Sequence, residues 1–138
     1  MLKDVLVETG FLLALNPKDK HHNWALNILR EARARKIMLY ISPAAPIELS
    51  LIMKSKKYDE KDIYRVLEAL DSAINRYIKP FYPSLEMRHI IYAAKLRMRY
   101  TELGFFDSLH ASIAIKNNLI YYDLDEVLNS IVRREMER

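Results

Sequence analysis

Short apolar runs alternate with long stretches of helical periodicity, and this alternation limits the fold more than any other feature of the chain. Val5-Leu6-Val7, Ile37-Met38-Leu39-Tyr40-Ile41 and Leu119-Ile120-Tyr121-Tyr122 are continuous apolar runs rather than alternating ones. Such runs mark strands buried on both faces. Strands separated by helices pair in parallel, because a crossover of roughly a dozen residues or more is what a parallel connection needs. A weaker run, Ile78 to Tyr82, contains Pro80, which removes a ladder donor and places that strand at an edge. The C-terminal stretch reads as one helical turn and a fifth strand around Ile131. The expectation is an α/β domain spanning 1–138, with a mostly parallel sheet of four to five strands covered on both faces.

The helical stretches have legible starts and stops. Trp24, Ile28 and Leu29 repeat at helical spacing between His22 and Arg35. Ser42-Pro43 is a helix start, a hydroxyl to accept an orphan N–H followed by a residue that lacks one. That helix carries Glu48 and buries Leu49, Ile52 and Met53. Another follows Asp59, with Ile63, Val66, Leu67, Leu70 and Ile74 on one side. Ser84 opens a helix with Met87, Ile90, Ile91, Ala94 and Met98 on one face and Gly104 as terminator. A last clear helix runs from about Asp107 to Lys116 and stops at Asn117-Asn118.

Composition narrows the chemistry. With no cysteine among 138 residues, disulfide scaffolds, thiolate catalysis and zinc–thiolate sites are excluded. With two glycines, Gly10 and Gly104, no glycine-rich phosphate cradle exists, which counts against phosphoryl-accepting domains that also gather acids at a strand edge. A net charge of +4 is compatible with a polyanionic partner without requiring one. The N-terminus reads as a strand entering an apolar helix rather than a signal peptide, and no apolar run is long enough for a membrane span, so a cytoplasmic protein is expected.

The acids scattered through the chain fall at one edge of this frame. In a parallel sheet every strand ends at one edge, and ligands bind beyond the carboxyl ends. Glu8 follows the first strand and Asp123 the last clear one. Glu48 lies early in the helix leaving the second strand. Asp107 begins a helix that runs antiparallel to the strands, so its first turn lies at the same edge. Four carboxylates brought together repel unless a cation sits among them. Mg²⁺ or Mn²⁺ is the natural occupant, because hard cations take oxygen ligands. Each acid also has an ordinary reading, Asp107 as a cap, Asp123 as a turn residue and Glu48 as a solvated side chain. Glu8 is harder to dismiss, since it stands between apolar runs. Asp125 is an alternative to Asp123 or an addition to it. His110, one helical turn after Asp107, reads first as a structural hydrogen-bonding group. Tyr64, Tyr77, Tyr92 and Tyr100 read as core or interface residues.

The residues that carry these acids resemble those of PIN domains, in particular the VapC-like toxin ribonucleases. Val7-Glu8-Thr9-Gly10-Phe11-Leu12 resembles the family's opening motif, Pro46-Ile47-Glu48-Leu49 the second, and Phe106-Asp107-Ser108-Leu109-His110-Ala111 the third. Leu119-Ile120-Tyr121-Tyr122-Asp123 resembles the final strand-then-aspartate motif. The four stand in family order over nearly the whole chain. The resemblance implies a three-layer α/β/α fold and Mg²⁺- or Mn²⁺-dependent cleavage of RNA. It also implies homodimerisation and inhibition by a small antitoxin protein. Glu8, Asp107 and Asp123 would ligate metal, Glu48 would complete the catalytic set, and Thr9 would support the first acid. Two positions depart from the pattern: Glu8 stands where aspartate is usual, and Tyr121 where a small hydroxyl residue is. Both imply weakened turnover, or a degenerate domain that binds RNA or protein without cleaving.

Overall fold

The computed structural model describes residues 2–138. Its elements are β1 (Lys3–Val7), α1 (Thr9–Ala14), α2 (His22–Arg33), β2 (Ile37–Ile41), α3 (Ala44–Ser55), α4 (Glu60–Asn75), α5 (Met87–Arg99), α6 (Phe105–Lys116), β3 (Ile120–Tyr121) and α7 (Glu126–Met136). The strands form one parallel sheet in the order β2-β1-β3. β1 is the central strand, which explains its unbroken apolar run: Val5, Leu6 and Val7 are all fully buried. Val5 and Val7 face one way and join Ile37, Leu39 and Ile41 in a core closed by α1 to α4. Leu6 faces the other way and joins Leu96, Ile113, Tyr121 and Ile131 under α5, α6 and α7. Two cores on opposite faces of one sheet make the three layers.

Three strands are formed where four to five were expected. The run around Phe81 contributes one isolated parallel bridge to Tyr40, with Ile41 N donating to Phe81 O and Phe81 N to Leu39 O. Pro80 has no amide to extend that ladder, so the pairing stops at one residue on the β2 edge. The fifth strand around Ile131 is the helix α7 instead. Leu128, Ile131, Val132 and Glu135 are its buried residues, a spacing of three and four that fits a helix. Glu135 anchors it, accepting from Tyr92 and Tyr100 hydroxyls at 2.9 and 2.7 Å and pairing with Arg99 and Arg138.

Two further expectations are corrected. Gly104 does not terminate α5, which ends at Arg99; it is the N-cap of α6. The face of α5 that carries Met87, Ile91 and Met98 points outward, and the buried side is His89, Ala93 and Leu96. With glycine so scarce, Arg35, Lys57 and Asn118 take the left-handed conformation just beyond α2, α3 and α6. Each is followed by an amide that returns to the helix: Lys36 N to Glu31 O, Tyr58 N to Met53 O and Leu119 N to Ala114 O. These bonds satisfy carbonyls that the helix ends would leave open.

Candidate functional site

Everything that leaves the carboxyl end of the sheet carries a polar side chain there. β1 runs directly into Glu8, the N-cap of α1, whose Oε1 accepts from Gly10 N at 2.8 Å. Gly10 is small for a local reason: a Cβ there would lie 2.7 Å from Glu8 Oε1 and 4.0 Å from Asp123 Oδ1. Its φ is not positive, so the requirement is space. β2 leads into Ser42, and β3 leads through Tyr122 to Asp123. Asp107 lies in the first turn of α6 and Glu48 inside α3. The structure therefore brings Glu8 into electrostatic reach of Glu48, Asp107 and Asp123, and Asp107 into reach of Glu48 and Asp123.

The four carboxyls are not equivalent. Glu8 is 6 % exposed, and its pKa is pushed up to about 8, first by burial, then by the charge on Asp123, with smaller contributions from Glu48 and Asp107; the Gly10 amide opposes them. Asp107 is raised by burial and by Glu48, against the Gly104 amide. The helix N-terminus does favour an anion, but by about 0.3–1 kcal/mol in ordinary settings, too little to reverse the desolvation. Asp123 is also raised, chiefly by burial, against the amides of Asp125 and Leu124. Glu48 goes the other way. Burial disfavours its charge, yet hydrogen bonds from His110 and Thr9 hold it below the usual carboxylate range.

Those two bonds belong to a relay that sequence reading only partly found. Ser42 Oγ accepts from Ala44 N at 3.3 Å and lies 2.7 Å from His110 Nδ1. His110 Nε2 lies 2.8 Å from Glu48 Oε1, which also accepts from Thr9 Oγ1 at 2.5 Å. A ring protonated at Nε2 satisfies every group, with Ser42 donating to Nδ1 and Nε2 donating to Glu48. Thr9 was expected to support Glu8; its hydroxyl donates to Glu48 instead. Both His110 nitrogens are thus engaged, although Glu8, Glu48 and His110 offer ligand atoms within 4.8 Å of one another.

Asp125 takes a different position. It is the exposed N-cap of α7 and accepts from Val127 N at 2.9 Å, while Asp123 is half-buried toward the other acids. Two contributors had no distinctive sequence signal. Ser42 read only as a helix start, and Asn129, inside α7, donates from Nδ2 to the Asp123 carbonyl at 2.8 Å and fixes the chain as it leaves β3. Part of the net positive charge is absorbed by the fold: Arg97 donates to Ser108 and lies over Phe105, and Arg33 lies over Tyr77.

The donor chemistry fits a hard divalent cation. The four carboxyls offer oxygen donors, and the buried one is held back from ionising by burial and by its acidic neighbours; among the described residues the group already close enough to share an ion is Glu8, Glu48 and His110. A bound dication would reverse that penalty.

No curated protein matches the sequence. Among solved structures, the chain is similar to the Mycobacterium tuberculosis VapC20 toxin, described as cleaving the sarcin–ricin loop: TM-score 0.65, 16% identity, covering 91% of this chain and 93% of that one. It is equally similar to a chain of Rickettsia felis VapBC2 bound to a promoter DNA fragment, with TM-score 0.65, 19% identity and 92% of each chain covered. At these identities the likeness speaks to the fold. The sequence itself matches the PIN domain over residues 5–132, the stretch that supplies the sheet, both cores and all four acids, so the chain belongs to the PIN-domain family.

Proposed function

We propose that this chain is a Mg²⁺- or Mn²⁺-dependent endoribonuclease, the toxin of a toxin–antitoxin pair. The observation that carries the reading is the meeting of four remote carboxylates at one sheet edge, with Glu8 buried among like charges. Glu8, Asp107 and Asp123 would hold the ion. Bound there, a divalent cation supplies Lewis acidity toward a phosphodiester and aligns a water. Glu48 is ionised and fixed through Oε1 by Thr9 and His110, which leaves Oε2 to take the proton as water oxygen bonds to phosphorus, while the bond to the leaving oxygen breaks and that oxygen takes a proton from solvent water. Ser42 and His110 set the aim of that base.

Two surfaces support the expected partners. An apolar groove of roughly 600 Å³ between α1, α3 and α4, lined by Leu13, Ile52, Met53, Tyr58, Val66 and Leu70, suits an apolar antitoxin segment. The outward apolar face of α5, with Met87 71 % and Met98 83 % exposed, suits a second copy of the chain. Among the described residues no helix is long and apolar enough to cross a membrane.

The test is cleavage of single-stranded RNA in Mn²⁺ and in chelator, by the natural chain and by Asp107→Asn. Metal-dependent cleavage that falls by about 10²-fold or more in the variant, with thermal stability preserved, is the expected result. Equal cleavage by Asp107→Asn, in preparations free of contaminating nuclease, would sink the assignment. The longer Glu8 favours one second reading, a domain that binds RNA or protein without cleaving. Retained RNA binding without Mn²⁺ binding would establish it.

A further inference from the structure

Among the described residues, two buried side-chain polar atoms have no hydrogen-bond partner, Asn129 Oδ1 and the Tyr121 hydroxyl, and both belong to residues beside Asp123. Asn129 is already accounted for, since its Nδ2 holds the Asp123 carbonyl. Tyr121 is not. It lies on β3 opposite Leu6, and Leu6 stands two residues before Glu8, on the same side of the extended chain. Its ring packs with Leu6, Leu96 and Ile131 in the core under α5, α6 and α7. Its hydroxyl sits in the field of all four carboxylates, Glu8 foremost.

Packing alone does not explain a tyrosine here. A buried hydroxyl without a partner costs about 1–3 kcal/mol, and phenylalanine would fill the same space without that cost. A phenol has one proton to give, and the structure offers this one no acceptor within hydrogen-bond distance, Glu8 Oε1 being turned to the Gly10 amide. A bound divalent cation would bring its own waters and re-aim the carboxylate oxygens around it, which would give the hydroxyl an acceptor.

We infer that the Tyr121 hydroxyl is a positioning donor for the loaded site, finding its acceptor in a Glu8 carboxylate oxygen, or in a water held beside it, only when a divalent cation is bound. Tyr121 acts through Glu8 and touches no substrate. The inference rests on the metal reading proposed above and adds to it a residue that would fix the geometry of the longer first acid.

The test compares the full chain with Tyr121→Phe, using calorimetric titration with Mn²⁺ and thermal unfolding in chelator. Without metal, the variant is expected to be as stable as the natural chain or more so, because an orphaned hydroxyl has been removed. Its Mn²⁺ affinity is expected to fall about tenfold, the equivalent of one ordinary hydrogen bond of about 1.4 kcal/mol. In RNA cleavage the loss falls on kcat and leaves KM unchanged. A lower metal-free stability would show that the hydroxyl already has a structural partner and would overturn the inference, as would unchanged Mn²⁺ affinity or a loss confined to KM. If the natural chain itself binds no Mn²⁺, the metal reading fails first and the inference with it.

Discussion

Replacing Glu8 by glutamine changes one proton's worth of chemistry and almost no volume. The substituted side chain can still accept from the Gly10 amide, and its NH₂ can donate toward the neighbouring carboxylates. The natural Glu8 carboxyl is raised from 4.5 to about 8, by burial first and by Asp123 next. The folded chain therefore holds this proton more tightly than the unfolded chain does. Between those two values the unfolded state has released it and the folded state has not, so stability falls as pH rises from 4.5 to 8 and is level outside that window. Each unit corresponds to about 1.36 kcal/mol, which makes the loss about 3 kcal/mol by pH 7 and about 5 kcal/mol at most. For a domain of this length, 3 kcal/mol is roughly 10 °C in Tm. Glu8→Gln should therefore be more stable than the natural chain in chelator at pH 8. The difference between the two should shrink toward pH 5, and taking that difference cancels the titration of every other acid. Mn²⁺ should reverse the order. Ion at about a hundred times its Kd adds about 2.7 kcal/mol to the natural chain and much less to the variant. Thermal unfolding from pH 5 to 8.5, with chelator and with Mn²⁺, measures all of this. A natural chain whose Tm does not fall relative to Glu8→Gln across that range would refute the claim that Glu8 ionises against a penalty.

Gly10→Ala sets two effects against each other: alanine is favoured in a helix by about 1 kcal/mol, but its Cβ would lie 2.7 Å from Glu8 Oε1 and displace it from the Gly10 amide. Near-unchanged Tm with clearly weaker Mn²⁺ binding in calorimetry is expected. Ser42→Ala leaves the fully buried His110 without its Nδ1 partner and should cost about 1–3 kcal/mol in denaturant unfolding. Glu135→Gln leaves two tyrosines, Arg99 and Arg138 around a weaker acceptor. A loss of roughly 2–4 kcal/mol, without loss of Mn²⁺ affinity, separates this C-terminal anchor from the acidic site.

The parallel sheet and the acid rim were legible because both follow from local rules. Ile37–Ile41 reads as a strand from five consecutive apolar residues and forms one with the same bounds. Glu8 stands out because a carboxylate between two apolar runs has nowhere polar to go. What was not legible depends on long-range geometry. Ile131 fits a strand or a helix locally, and the buried Glu135, gathering donors from α5, goes with the helical outcome. The outward turn of Met87, Ile91 and Met98 could not be read from spacing, because His89 and Ala93 occupy the inner side of α5. Ser42 and Asn129 carry no pattern of their own; they matter only because the fold sets His110 and Asp123 beside them.

The most direct test is anomalous diffraction from a crystal soaked in Mn²⁺. The account predicts a peak between the carboxylates of Glu8, Asp107 and Asp123, with metal–oxygen distances of about 2.0–2.6 Å, and Glu48 beside it, still hydrogen-bonded to His110. A fully soaked crystal with no peak there, or with manganese bound only at other sites, would contradict it.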